Sequence, residues 1–138
     1  MQVQRATDCA IRILHYLHHY TPRGDVPTAH IIAQAVGISY PFFSKIANQL
    51  KRKGLVASVQ GRNGGYRLAK SAREISVYDV ILAMEEDLKI NRCCHAAGKQ
   101  CGRSAKGCTI RAYYREIREM LVDALSGKYI TDFAIVWH

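Results

Sequence analysis

Apolar side chains return every three or four positions at the start of the chain, at Val3, Ala6, Ala10, Ile13, Leu14 and Leu17. That is the period of one helix face, and it predicts a helix over VQRATDCAIRILHYLHHY. Thr21, Pro22, Arg23, Gly24 and Asp25 break it. In PTAHIIAQAVGIS, Thr28 is placed to cap a second, short helix with Ile31, Ile32 and Ala35 facing inward. Gly37 ends that helix in a tight turn. Ser39 caps a third helix, with Pro41 in its first turn, where a missing N–H costs little. Phe42, Phe43, Ile46 and Leu50 form its predicted buried side; Lys45, Asn48, Gln49, Arg52 and Lys53 occupy its other faces, and Gly54 stops it.

The period then changes. LVASVQ and YRLA are strand-like runs on either side of GRNGG, and Asn63-Gly64 signals a hairpin whose two central residues take positive φ. Helix, short helix, glycine turn, basic helix and basic-tipped hairpin form the order of a winged helix-turn-helix, in which the third helix lies in the major groove and the hairpin reaches the neighbouring groove or backbone. Ser76 caps a further helix, SVYDVILAMEED, with Val77, Val80, Ile81 and Met84 on one face. A long helix over TIRAYYREIREMLVDAL carries Ile110, Tyr113, Tyr114, Ile117, Met120, Leu121 and Leu125, enough apolar surface to need a partner: the first helix or a second copy of the chain. SGKYITDFAIVWH reads as a capped turn, a short helix and a tail. The predicted fold is mainly α with a small β-hairpin. Residues 1–75 form the winged helix-turn-helix and residues 76–138 the cysteine segment and long helix, in one compact unit.

Charge sharpens this. The 138 residues carry a formal +9, and no Asp or Glu occurs between Asp25 and Glu74. Lys45, Lys51, Arg52, Lys53, Arg62, Arg67, Lys70 and Arg73 all fall in that interval, so one surface is expected to attract a polyanion. Duplex DNA fits: Lys and Arg neutralise phosphates, while Ser39, Tyr40 and Asn48 can meet base edges. No apolar run approaches the roughly 20 residues of a membrane span, and the N-terminus lacks a signal-peptide core. A soluble, cytoplasmic protein is expected. Neither a Ser-His-Asp arrangement, nor a paired carboxylate site, nor a P-loop is recognisable, so catalysis is not expected.

Residues 33–70, AQAVGISYPFFSKIANQLKRKGLVASVQGRNGGYRLAK, resemble the iron–sulfur winged-helix repressors that include IscR and NsrR. The similarity lies in the run from Ile32 to Ser39, the Gly54–Val56 step and the Gly61–Tyr66 wing, followed by a cysteine loop and a long helix. It implies a homodimer held by the C-terminal helix, a near-palindromic operator and a cluster in the cysteine loop of each subunit. Ser39, Tyr40, Pro41 and Lys45 fall where that family's recognition helix begins, with Asn48 one turn on. Arg62, Asn63 and Gly64 fall at the wing tip. Gln60 stands where such wings often have Arg, which leaves Arg62 to take over the minor-groove contact.

The segment CCHAAGKQCGRSAKGC, residues 93–108, holds four of the five cysteines and no Leu, Ile, Val or Phe. Disulfides are uncommon in the cytoplasm, so clustered thiols point to metal or redox chemistry. Cys94, Cys101 and Cys108 are separated by six residues each, and Cys93 is an alternative to Cys94. Structural zinc favours C-x2-4-C pairs, which are missing here; wider gaps suit an iron–sulfur cluster. A metal-free, reduced loop is the plain alternative. IscR-type regulators complete the ligand set with a His after the third Cys, where this chain has Thr109, Ile110 and Arg111. The NsrR-type pattern uses an Asp in the first helix, given by the other subunit, and Asp8 stands in the matching place. Asp8 also suits the N-terminus of a helix as a plain dipole partner. His95 is an alternate ligand; Cys9 is expected to be core. The resemblance favours [4Fe–4S] over [2Fe–2S].

Together these readings predict a cluster-gated, DNA-binding transcription regulator, a repressor responding to nitric oxide, redox state or iron supply. The rival is a thiol-based or metabolite-responsive regulator with no cluster.

Overall fold

A computed structural model describes residues 3–88, 90 and 108–137. Its helices are α1 (Arg5–Tyr20), α2 (Ala29–Val36), α3 (Tyr40–Arg52), α4 (Val77–Glu85) and α5 (Thr109–Ser126), with strands β1 (Val56–Val59) and β2 (Gly65–Leu68) between α3 and α4. The expected mainly helical fold with one hairpin is what is found.

The core forms around α1. Ala10, Ile13, Leu14 and Leu17 are buried against Ile32 and Ala33 of α2, Phe43, Ile46, Ala47 and Leu50 of α3, and Val80 and Met84 of α4. The caps follow the sequence. Thr28 Oγ1 accepts from the Ile31 N–H and Ser39 Oγ from the Phe42 N–H, each at 3.3 Å. Ser76 and Asp79 form a reciprocal capping box at the start of α4. Gly37 and Gly54 take left-handed backbone at φ 78° and 75°, ending α2 and α3.

Four expectations need correction. Ile31 and Ala35 face outward, not inward; Ile32 and Ala33 are the buried pair of α2, and Ile31 is 50% exposed. A helix of eight residues presents only a narrow arc to the core, and an Ile-Ile pair does not reveal which member lies on it. Val3 precedes the helix and is exposed. Phe42 is half-buried, with the Arg5 guanidinium 5.5 Å above its ring. The hairpin tip also differs. The strands pair antiparallel from Val56↔Leu68 to Val59↔Gly65, which leaves the loop Gln60–Gly64. Its turn is closed by the Gly64 N–H to the Gly61 carbonyl at 3.0 Å. Arg62 and Asn63 are therefore the central pair, and Gly61, not Asn63 or Gly64, has the positive φ. A five-residue loop removes the twist constraint of a two-residue turn, and with it the need for a left-handed pair.

The segment after α5 is more than a tail. Val77 N–H donates to the Lys128 carbonyl at 2.8 Å and Ile130 N–H to the Ile75 carbonyl at 3.0 Å. Ile130 is fully buried. Further on, the Trp137 indole N–H donates to His15 Nδ1 at 2.9 Å, and His15 Nε2 lies 2.9 Å from the Phe133 carbonyl. With Nδ1 accepting, Nε2 carries the proton that the carbonyl accepts. The end of the described chain is thus strapped across α1.

Candidate nucleic-acid interface and cluster ligands

Residues 41, 45, 48 and 52 recur at helical spacing along α3, and Pro41, Lys45, Asn48 and Arg52 are all exposed. The opposite face, Phe43, Ile46, Ala47 and Leu50, is core. Burial of one side therefore fixes the polar side outward. Tyr40 opens the helix 49% exposed, and its ring lies 4.6 Å from the His30 ring at an interplanar angle of 14°. Ser39 is exposed, but its hydroxyl already caps the helix. At the wing, Arg62 and Asn63 are exposed on the turn. Gly64 has a backbone role: a Cβ there would sit 2.4 Å from the Val59 carbonyl oxygen. Gly65 anchors the hairpin. A Cβ on it would fall 2.1 Å from the Pro27 carbonyl oxygen, which accepts from the Tyr66 N–H at 3.0 Å.

The N-terminal turns of α1 hold a second cluster of contacts. Asp8 is exposed and pairs with Arg12 at 2.9 Å. Cys9, next to it, is core as expected; burial, then the neighbouring Asp8, pushes its thiol above its ordinary pKa. A sulfur kept protonated in a core is a poor metal ligand. Thr7, fully buried, donates from Oγ1 to Glu85 Oε2 at 2.8 Å, tying α1 to the last residue of α4. Arg5 reaches the first turn of α3 through Phe42. One short stretch of α1 therefore touches both the end of α4 and the start of α3.

Beyond α4, Glu86 takes φ 66°, the single positive φ on a non-glycine residue among those described. Asp87 accepts from Arg118 Nη2 at 2.5 Å, and Arg118 Nε donates to the Leu88 carbonyl at 3.3 Å. Burial by itself raises the Asp87 carboxyl, but bonds from Arg118, the Leu88 N–H and Tyr78 outweigh it and hold the pKa below the ordinary value. Leu121, Val122 and Leu125 of α5 pack on Val77, Ile81 and Leu88 beside this link. Cys108 sits half-exposed at the N-terminal cap of α5. The partial positive charge of a helix start suits a thiolate bound to iron, so this donor fits the expected cluster. Cys93, Cys94, His95 and Cys101 lie outside the described residues. Among the described residues no three His, Cys, Asp or Glu side chains converge as a metal site.

The sequence profile described as "Rrf2: Iron-dependent Transcriptional regulator" matches residues 3–134. The chain belongs to the Rrf2 family of transcriptional regulators. The HTH-type transcriptional regulator IscR of Pectobacterium carotovorum is similar at 36% identity over 108 residues, 78% of this chain and 63% of that protein. The chain thus spans less than two thirds of that relative's length. NsrR of Shouchella clausii is 33% identical over 101 residues, 73% of this chain and 67% of that one. The Rrf2 fold also appears in the solved structure of CymR, the global cysteine regulator of B. subtilis. That likeness has a TM-score of 0.73 at 20% identity, covering 96% of this chain and 95% of CymR.

Three Rrf2-chain contacts were not foreseen from sequence: His30 under Tyr40, Arg5 over Phe42, and Arg118 on Asp87. Each joins residues from separate segments of the chain, so no local pattern signals it.

Proposed function

We propose that this Rrf2 regulator is a dimeric, cluster-gated repressor that binds an operator through α3 and the wing. The observation that carries the reading is the exposed α3 face of Tyr40, Pro41, Lys45 and Asn48, together with the exposed Arg62–Asn63 turn, in a stretch without a single acid. Lys45 and Arg62 supply phosphate and groove contacts; Tyr40 and Asn48 supply base contacts. Ser39 and Gly64 shape the backbone that presents them.

Cys94, Cys101 and Cys108, with Cys93 and His95 as alternates, would hold an iron–sulfur cluster, [4Fe–4S] in preference to [2Fe–2S]. When bound, such a cluster supplies a link that nitric oxide, oxygen or iron shortage can break. Asp8 of the partner subunit completes the ligand set. Its ion pair with Arg12 does not stand in the way: an exposed i,i+4 pair contributes only about 0.5 kcal/mol, small beside a metal–ligand bond. The α1 contacts support transmission. Asp8 lies one turn from Arg5, which touches the recognition helix through Phe42, and next to Thr7, which holds the end of α4. A pull on Asp8 therefore reaches both.

The dimer surface is the outer face of α5. Ile110, Tyr113, Ile117, Met120 and Ala124 repeat at three- and four-residue steps, the a/d spacing of a coiled-coil seam, and Ile110, Tyr113 and Met120 are 64%, 59% and 62% exposed.

The test compares cluster-loaded and cluster-free protein on one operator by gel shift, with anaerobic iron and sulfide counts. Equal affinity of the two forms removes the sensing role. A thiol-only regulator is the second reading, favoured by the likeness of the fold to a protein named as a cysteine regulator. Protein that stays colourless and iron-free after anaerobic reconstitution selects it.

A further inference from the structure

His30 is the second residue of α2 and Tyr40 the first of α3. Their rings lie nearly parallel, 4.6 Å apart and 14° from coplanar, although both residues are exposed. Core packing does not force this arrangement, since neither residue belongs to the buried cluster. The left-handed Gly37 turn brings the start of α2 beside the start of α3. The imidazole covers one face of the tyrosine ring, and about half of Tyr40 stays open to solvent. A free tyrosine at a helix start would have to give up side-chain freedom on meeting a base; a stacked one has already given it up.

We propose that His30 is a specificity-determining residue, one that acts on base recognition by holding the Tyr40 ring in its binding pose. The inference rests on the DNA-binding reading above and adds a residue from outside the recognition helix. It separates two roles. Lys45 meets phosphate whatever the sequence, so it sets overall affinity. The His30–Tyr40 pair meets a base, so it sets the ratio of specific to non-specific binding.

Duplexes selected by the wild-type protein from a random library provide the probe. Wild type, His30→Ala and His30→Phe, prepared anaerobically, are titrated against the selected duplex and a scrambled one. A stacked aromatic pair corresponds to roughly three- to tenfold in an equilibrium constant. His30→Ala is expected to lower the specific-to-scrambled ratio by about that factor, with scrambled binding and thermal unfolding unchanged. His30→Phe keeps a flat ring and restores the ratio. In a Tyr40→Ala background, His30→Ala has no further effect. An unchanged ratio in His30→Ala overturns the proposal. So does a His30→Phe protein that behaves like the alanine variant, because the effect would then belong to the imidazole N–H. If the wild type enriches no sequence, the DNA reading itself fails and takes this inference with it; enrichment with an indifferent His30 defeats the inference alone.

Discussion

At the scale of single residues, Asp8 and Asp87 are two acids with opposite economies. Asp8 sits in the open with one weak partner, so its loss costs the fold little. Asp8→Ala is expected to shift the unfolding free energy by under about 0.5 kcal/mol while lowering the iron and sulfide retained after anaerobic preparation. A variant that keeps a full complement and an unaltered visible spectrum would falsify the ligand role. Asp87 is built in. Its carboxyl is held below the ordinary range, so its contribution is whole above about pH 4 and drains away as pH falls through the lower folded value. Asp87→Asn removes the charge-assisted bond from Arg118 and is expected to cost about 1 kcal/mol near neutral pH. It also flattens the acid limb of the stability curve. Urea titrations at pH 7 and at pH 3 check both. The sequence points to Asp8 through its position in a family pattern, and the ligand role remains the proposal that this variant tests. It does not point to Asp87, because its partner Arg118 lies 31 positions away.

Among elements, the caps were the most readable features. Thr28, Ser39 and Ser76 each precede a periodic run, and the bond each makes is local, so sequence carries the whole signal. Ser39→Ala loses one cap bond and is expected to destabilise the protein by about 1 kcal/mol, seen as a lower midpoint in thermal unfolding. The hairpin was readable as an element but not in its turn, because loop length follows from where pairing stops, which is a matter of tertiary contact. Gly65 shows the same limit. Its backbone lies against Pro27, far back in the chain. Gly65→Ala is expected to cost more than about 2 kcal/mol and to free the wing, whereas Gly61→Ala strains only the local turn. Proteolysis at the wing distinguishes them: the Gly65 variant is cut faster.

For the whole molecule, the sequence offered the first helix or a second copy as the partner of the long helix, and the structure corrects the first of these: α4 takes the place expected for α1, which adds only Ile11 beside the contact. Leu121, Val122 and Leu125 lean on α4, while the Ile110, Tyr113, Met120 side stays open. Periodicity counts apolar positions but cannot divide them between neighbours. Met120→Glu is expected to shift sedimentation from dimer toward monomer and to weaken operator binding at least tenfold, since two half-sites can then no longer be held by one particle. An unaltered sedimentation profile places the dimer contact elsewhere.

No residue of α5 is fully buried within its own chain. On the proposed dimer, an eighteen-residue segment of this kind draws much of its order from mass action, and abundance itself becomes an input. On the proposed pairing, a dilute solution is expected to keep the strapped core while the outer helix frays, and accumulating copies to firm the helix and steady whatever Cys108 at its cap holds. Melting curves recorded over a hundredfold range of protein concentration would then separate into two transitions, with the lower one alone moving upward as the solution is enriched.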